Sequence, residues 1–498
     1  MMTFRSLSRL ALAGMISLTS GIAVAQHDVG VGGGTTRDVA TSESTSRGSA
    51  GTRRTPARAT PTARRPRTPV RRGTTAEQYN QQGDGFFEAK QYDDALEAYD
   101  KAVQLKPIAS AYYHIGWIYN DRDDYDQAIT ALQQAIRYNA NDGDAFYELG
   151  YAYRNLQRYN EALNAYRRSI SIKPDYASAY YEIGWIYNDQ GQYAQALQPL
   201  RQAAALKDNY AEAHEELGYA FYKLGRSQEA IVDYQQAVRM KPDYGPAYLG
   251  LGDVYYHQTK QYSLAMEAYR QGVRFKDNNS TAFYNLSWCY NEMDRYAEAA
   301  SAAKRAIALK AGYPEAYLEL GYANRKLGLF NEASAAYREA IRLKPGYGLA
   351  YTGLGDVYFV DLKQYQQSVP AYEQSISISP NNARVRYNLG WCYNDLNRYA
   401  DSAEQLREAV RLKPEYVEAH SELGFAYLKL HRLPAAVEEV RTAIRLKNDY
   451  ATAHYYLGLV YIEQRNRAGA QAEFVILQRL DRGLAQKLFD AAPANMRN

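Results

Sequence analysis

Apolar and small residues recur along this chain with two superposed periods. Over a dozen residues the spacing is helical. From Ala177 onward, Tyr180, Ile183, Gly184 and Tyr187 fall on one face of a helix, and Ala196, Leu200 and Ala203 mark the packed face of a second. The pair then returns. Gly-Trp-Ile-Tyr-Asn-Asp at 116–121 recurs at 184–189, as Ser-Trp-Cys-Tyr-Asn-Glu from Ser287 and as Gly-Trp-Cys-Tyr-Asn-Asp from Gly390. Sister versions start at Gly150, Gly252, Gly321 and Gly355. A fixed period of this length predicts an array of helix pairs, each burying its apolar face against the next.

The anchors are Gly83, Gly116, Gly150, Gly184, Gly218, Gly252, Ser287, Gly321, Gly355, Gly390, Gly424 and Gly458, twelve units spaced by 33 to 35 residues. A glycine at the anchor lets the two helices of a unit approach closely. Between units runs Lys-Pro-Asp-Tyr (173–176, 241–244) or Lys-Asp-Asn-Tyr (207–210). Proline ends the second helix, and the Asp or Asn is expected to cap the next first helix. Two units are one residue longer. Gln258 to Tyr262 and Asp361 to Tyr365 predict a lengthened turn between their two helices. They also expose a larger repeat of three units: Trp185, Trp288 and Trp391 are 103 residues apart, as are Asp253 and Asp356.

The pattern resembles the tetratricopeptide repeat, which has small residues at positions 8, 20 and 27 of 34 and proline at 32. In the first unit these fall on Gly83, Ala95, Ala102 and Pro107, with Phe86 and Tyr99 at the aromatic positions. The resemblance covers residues 76 to about 482. It implies an all-α, right-handed α-solenoid of about twelve helix-turn-helix repeats, whose first helices line a concave groove. Residues 75–482 are then the solenoid, and 483–498 a capping helix and tail. That last helix is expected from Asp481 to Ala491, with Leu484, Ala485, Leu488 and Phe489 on one side to cover the open end.

The first 74 residues read differently. Arg5 and Arg9 precede an apolar run from Leu10 to Ala25 that closes on Ala23-Val24-Ala25, the pattern of a signal peptide over residues 1–25; an uncleaved anchor is the alternative. No other stretch approaches the ~20 apolar residues needed to span a bilayer. Residues 26–74 are Gly-, Thr-, Ser-, Arg- and Pro-rich and cannot bury enough apolar surface to order themselves. Residues 53–72 hold eight arginines and no acid, which suits a solvated tether or contact with an anionic envelope polymer, lipid headgroup or nucleic acid. The net charge of +4 comes from this segment. Twelve arginines and three acids precede residue 75, leaving 47 basic against 52 acidic residues in the remainder. A reading of the whole body as a basic nucleic-acid binder thereby loses its support. These readings place the protein outside the cytoplasm, as a periplasmic, surface or secreted chain.

The 49 tyrosines need an account. Tyr119, Tyr153, Tyr187, Tyr255 and Tyr290 occupy packing positions between helices. Another stripe, which in the family faces the groove, holds further rings. One residue after the anchors lie Trp117, Tyr151, Trp185, Tyr219, Asp253, Trp288, Tyr322, Asp356, Trp391 and Phe425. Three before them lie Tyr113, Tyr147, Tyr181, Tyr284 and Tyr387. Four after them come Asn120, Arg154, Asn188, Asn291, Arg325 and Asn394, and one further Asp121 and Asp189. This reads as an aromatic ladder edged with amides and charges, fit to hold an extended peptide or, alternatively, an envelope glycan. Packing of the rings against neighbouring first helices is the competing reading. The family's clamp for a C-terminal carboxylate needs lysine and asparagine where this chain has tryptophan and tyrosine, so that binding mode is not expected here.

No catalytic constellation appears, and the expectation is no enzyme and no cofactor or metal. The histidines show no His-Glu-x-x-His pair, and no Gly-x-x-x-x-Gly-Lys phosphate loop occurs. Cys289 and Cys392 replace Ile118 and Ile186 in the pattern and read as buried hydrophobes. The expected function is a binding scaffold; self-assembly through the ends is a further possibility.

Overall fold

The computed structural model describes residues 74–493. The leader at 1–25, the basic segment at 26–73 and the last five residues lie outside them. All regular structure described is helical: 25 α-helices and two short π-helical segments, with no strand among the described residues. Ten of the twelve first helices run thirteen residues and the second helices fourteen, as in Ala177–Asp189 and Tyr193–Leu206. Each first helix packs on its own second helix, and that helix packs on the next first helix. This is an α-solenoid. Its core is continuous along the stack, because Ala95, Ala128, Ala162, Ala196, Ala230, Ala265, Ala299, Ala333 and Ala436 recur fully buried in the second helices.

The anchor glycines explain the close pairing. A Cβ at Gly116 would stand 2.4 Å from Leu132 Cγ, at Gly184 2.4 Å from Leu200 Cγ, and at Gly321 2.7 Å from the Tyr337 ring. The unit at Ser287 is the exception, and it compensates. The facing residue is Ala303, and the Ser287 hydroxyl donates to the Ala299 carbonyl at 2.8 Å. In each of the twelve turns between paired helices one residue has positive φ. Only Gly191, Gly225 and Gly328 are glycines there; Lys90, Asp123, Lys260, Asn397, His431 and Arg465 accept the left-handed conformation at some cost.

Two expectations about turns need correction. The extra residue of the longer units does not lengthen the turn. It is absorbed inside the first helix, which ends in π-helical segments at Val254–Gln258 and Val357–Asp361. There Thr259 N–H donates to the Val254 carbonyl and Leu362 N–H to that of Val357, five residues back. The Asp of Lys-Pro-Asp-Tyr is also not the helix cap. The N-cap is the tyrosine, as at Tyr176 and Tyr244, with no side-chain cap bond. Among the described first helices, Asx capping occurs where Asp142, Asn279 and Asn382 stand in that place. The tyrosine serves the junction another way: the preceding lysine lies over its ring, Lys207 4.1 Å from the Tyr210 centroid and Lys344 4.5 Å from that of Tyr347.

At the C-terminal end, Arg482–Ala491 folds back on the last unit with Asp481 as its cap. Leu484, Ala485 and Leu488 are buried, and Leu488 covers Gly458. Phe489 remains at the surface beside Phe474. Cys289 and Cys392 are fully buried and free, within the core.

Candidate functional site

First helices of successive units approach one another more closely than second helices do, which puts them on the inside of the curve. The stripe read from the sequence therefore lies on one face, but its members divide into those the fold consumes and those left at the surface.

The asparagines are consumed. Asn120, Asn188, Asn291 and Asn394 are buried. Each donates through Nδ2 to the backbone carbonyl and to the carboxyl of a glutamate in the next first helix. The pairs are Asn120 with Glu148, Asn188 with Glu216, Asn291 with Glu319 and Asn394 with Glu422, at 2.7 to 3.2 Å. They pin unit to unit and do not face a ligand. Arg154 takes the same place and pairs with Glu182 at 3.1 Å, its guanidinium also lying over the Trp185 ring. Arg325 binds Asp361 and Asp356 in turn. Read one helix at a time, the sequence pattern puts these side chains in the groove. The signal was present: each pinned pair is 28 residues apart. Burial raises Glu319 and Glu422 to about 7 each, although the asparagine amides pull the other way.

Most of the rings are shared between units. Those one residue after the anchor stand edge-on to a tyrosine that opens the preceding second helix. Trp288 lies 4.8 Å from Tyr262, Trp391 4.8 Å from Tyr365, Trp117 5.7 Å from Tyr92, Tyr219 5.9 Å from Tyr193 and Tyr322 6.2 Å from Tyr296. Trp117 receives a second ring from Phe87, as do Trp288 and Trp391 from Tyr256 and Phe359, and the last two tryptophans are the ones that close. Their exposure falls to 8% and 4%. They are interface residues, not docking rings. The earlier stripe packs likewise: Tyr147 on Tyr176, Tyr181 on Tyr210, Tyr284 on Tyr313 and Tyr387 on Tyr416, at 4.8 to 5.3 Å. Tyr387 is buried outright.

What stays partly at the surface is concentrated in the first half of the solenoid. Tyr113, Trp117, Tyr151, Trp185 and Tyr219 each keep part of the ring accessible, and Asp121 and Asp189 are exposed beside them. Tyr322 and Phe425 do so in the second half, where Trp288 and Trp391 are closed. Lysines lie over several of these rings: Lys223 over Tyr219, Lys326 over Tyr322 and Lys429 over Phe425, each at 5.4 Å.

The two aspartates of the stripe differ. Asp356 is buried, accepts from the Tyr372 hydroxyl at 2.7 Å, and pairs with Arg384 at 3.0 Å and Arg325 at 3.4 Å. Burial opposes its charge, but the two guanidiniums hold it below the usual carboxylate range. Asp253 is only partly buried and accepts from Tyr269 at 2.7 Å. Burial pushes it up to about 6 against the pull of Tyr269 and Lys223.

On the opposite face, between second helices, a cleft of about 440 Å³ is lined by Arg201, Leu217, Phe221 and Val232 among others, with His214 Nδ1 2.8 Å from Asp233 at its edge. Equivalent histidines farther along pair both ring nitrogens, His420 with Glu439 and the Pro414 carbonyl, His454 with Glu473 and the Asn448 carbonyl. The sequence pattern gave them only a packing role.

Family models described as TPR repeat match residues 116–157, 150–187, 184–225, 218–259 and 392–431. Models described as tetratricopeptide repeat match 245–279, 280–313, 314–347, 359–409 and 421–483. Similar solved structures include YrrB, described as a TPR protein with an unusual peptide-binding site, at 20% identity and TM-score 0.35, over 38% of this chain and 97% of that one. MamA from Desulfovibrio magneticus RS-1 is 24% identical with TM-score 0.32, over 34% of this chain and 96% of its own. The APC/C hetero-tetramer Cut9–Hcn1 is 14% identical with TM-score 0.37, over 83% and 95%. No curated protein matches the chain.

Proposed function

Because the chain belongs to the tetratricopeptide repeat family, we propose that it is a protein-interaction scaffold that holds an extended peptide segment along the inner face of its first half. The observation that carries this is the row Trp117, Tyr151, Trp185 and Tyr219. Each ring is seated by its neighbours yet keeps part of its surface exposed, one repeat apart, with Asp121 and Asp189 at the rim. Rings already fixed in place lose little freedom on binding, so the ~25 cal/mol per Å² gained by covering them is retained in larger part. The spent asparagines leave backbone recognition to the rim carboxylates, which favours segments without acidic side chains.

The test uses the two partly exposed tryptophans, Trp117 and Trp185. An array of immobilised peptides and one of oligosaccharides are probed with the full chain, then with Trp117→Ala/Trp185→Ala. The double variant should lose at least roughly tenfold in peptide affinity while its helical circular dichroism is kept. Undiminished peptide binding, or binding only to the sugars, refutes the reading. Export by the leader belongs to the same proposal and predicts a secreted form whose N-terminus follows Ala25; an N-terminus at Met1 in the exported fraction overturns it.

A further inference from the structure

The 103-residue block provides an internal comparison at Asp253. Superposing the blocks by sequence sets Asp253 on Asp356, Tyr269 on Tyr372, Asn285 on Asn388, Tyr222 on Arg325 and Thr281 on Arg384. The support of the carboxylate is the same in both. The tyrosine hydroxyl donates to Oδ1 at 2.7 Å in each, and an asparagine Nδ2 donates to that hydroxyl, at 3.0 Å from Asn285 and 3.1 Å from Asn388. Both aspartates directly precede the π-helical turn, which fixes their aim. Only the cations differ. Arg325 and Arg384 converge on Asp356 from the units before and after it, and Arg384 Nη1 touches both carboxylate oxygens, at 3.0 and 3.1 Å. At Asp253 those two places hold Tyr222 and Thr281, and among the described residues no cation forms an ion pair with it. Lys223 acts on it only at longer range.

From this we infer that Asp253 is a receptor for the guanidinium of an arginine in a peptide lying along the inner face, taking the place that Arg384 and Arg325 fill at Asp356. The chain itself shows the carboxylate geometry binding guanidinium. The first copy keeps the aimed carboxylate and omits the built-in occupant. Its surroundings suit a planar cation: the Tyr222 side chain lies within electrostatic reach of the carboxylate, and Tyr269 holds it from the other helix. Arginine fits better than lysine, because a bidentate fork satisfies the oxygen that Tyr269 leaves open. The inference rests on the proposed peptide groove and names one side chain of its ligand.

The probe is N-acetyl-arginine N-methylamide, titrated into the full chain by ligand-observed NMR, beside its neutral citrulline twin. Arginine should bind saturably and roughly tenfold more tightly than citrulline. Asp253→Asn should erase that preference. Thr281→Arg, which supplies the occupant from within, should erase it as well while leaving the peptide-array binding of the groove in place. An arginine preference that survives both substitutions overturns the proposal and leaves the groove reading standing. Loss of array binding in the unmodified chain would remove both. Replacing the eight arginines of residues 53–72 by glutamine should leave the probe's affinity unchanged; a rise of roughly tenfold would make the chain's own segment the occupant and overturn assignment to a partner.

Discussion

Gly390→Ser should destabilise the solenoid by about 2–4 kcal/mol, and adding Leu406→Ala should return most of that loss. The unit at Gly390 is the 103-residue counterpart of the unit at Ser287. There Ser287 faces Ala303; here Gly390 faces Leu406, and a Cβ on Gly390 would fall 2.5 Å from Leu406 Cγ. The neighbour is a fully buried leucine in a close-packed seam, so it cannot swing into solvent. The double variant transplants a pair the protein already uses, including a serine hydroxyl within reach of a carbonyl on the second helix. Leu406→Ala alone should also cost a few kcal/mol by leaving a cavity. The coupling between the two substitutions, measured by urea unfolding, is therefore large and favourable. Additive losses would show that the anchor does not set the spacing of the paired helices.

Stability should fall between pH 5 and pH 8, and the pinned glutamates should account for much of the fall. Glu319 and Glu422 are held at about 7 in the fold, against about 4.3 in an unfolded chain. A carboxyl raised in this way binds its proton more tightly when folded. Ionising it costs folding free energy, beginning near pH 4.3 and complete above pH 7, on the order of 3 kcal/mol for each. His420 and His454 act in the same direction. For His420, burial disfavours the charged ring, but Glu439 and the Pro414 carbonyl hold its pKa above the usual value; for His454 the Glu473 hydrogen bond leads. Their contribution is full below pH 6.5 and is lost as pH rises through the folded value. His114 and His257, lowered by burial, work in the opposite sense. Glu319→Gln/Glu422→Gln isolates the carboxyls. An amide still accepts from Asn291 and Asn394, so the double variant should unfold at a higher temperature than its parent at pH 8 and at nearly the same temperature at pH 5. A lower midpoint at pH 8 would mean that the ionised pairs are net stabilising.

The repeat, its helices and the role of the anchor were legible because packing enforces them identically in unit after unit. Spacing alone located Gly184 against the second helix, Cys289 in the core and the amphipathic helix after Asp481. What was misread lies between units. Asn188 looks like a groove residue on a helical wheel, and only Glu216, 28 positions later, shows otherwise. Trp288 and Trp391 look like Trp117 and Trp185 on a helical wheel, yet the first two are closed and the last two keep part of their surface. Spacing alone puts the added residue of those units in a loop, where insertions are tolerated. The helix absorbed it because the turn after it keeps its three residues and its left-handed position, at Lys260 and Lys363.

The three-unit block has a corollary for the number of units. Its borders are chemically alike: Tyr256 meets Trp288 at one seam and Phe359 meets Trp391 at the next, with Tyr269–Asn285 and Tyr372–Asn388 beneath them. Excising residues 280–382 would bring Tyr256 against Trp391 and Tyr269 against Asn388, joining surfaces that already fit. Deleting or repeating such a block can thus change the number of units in steps of 103 residues while every joint stays sealed.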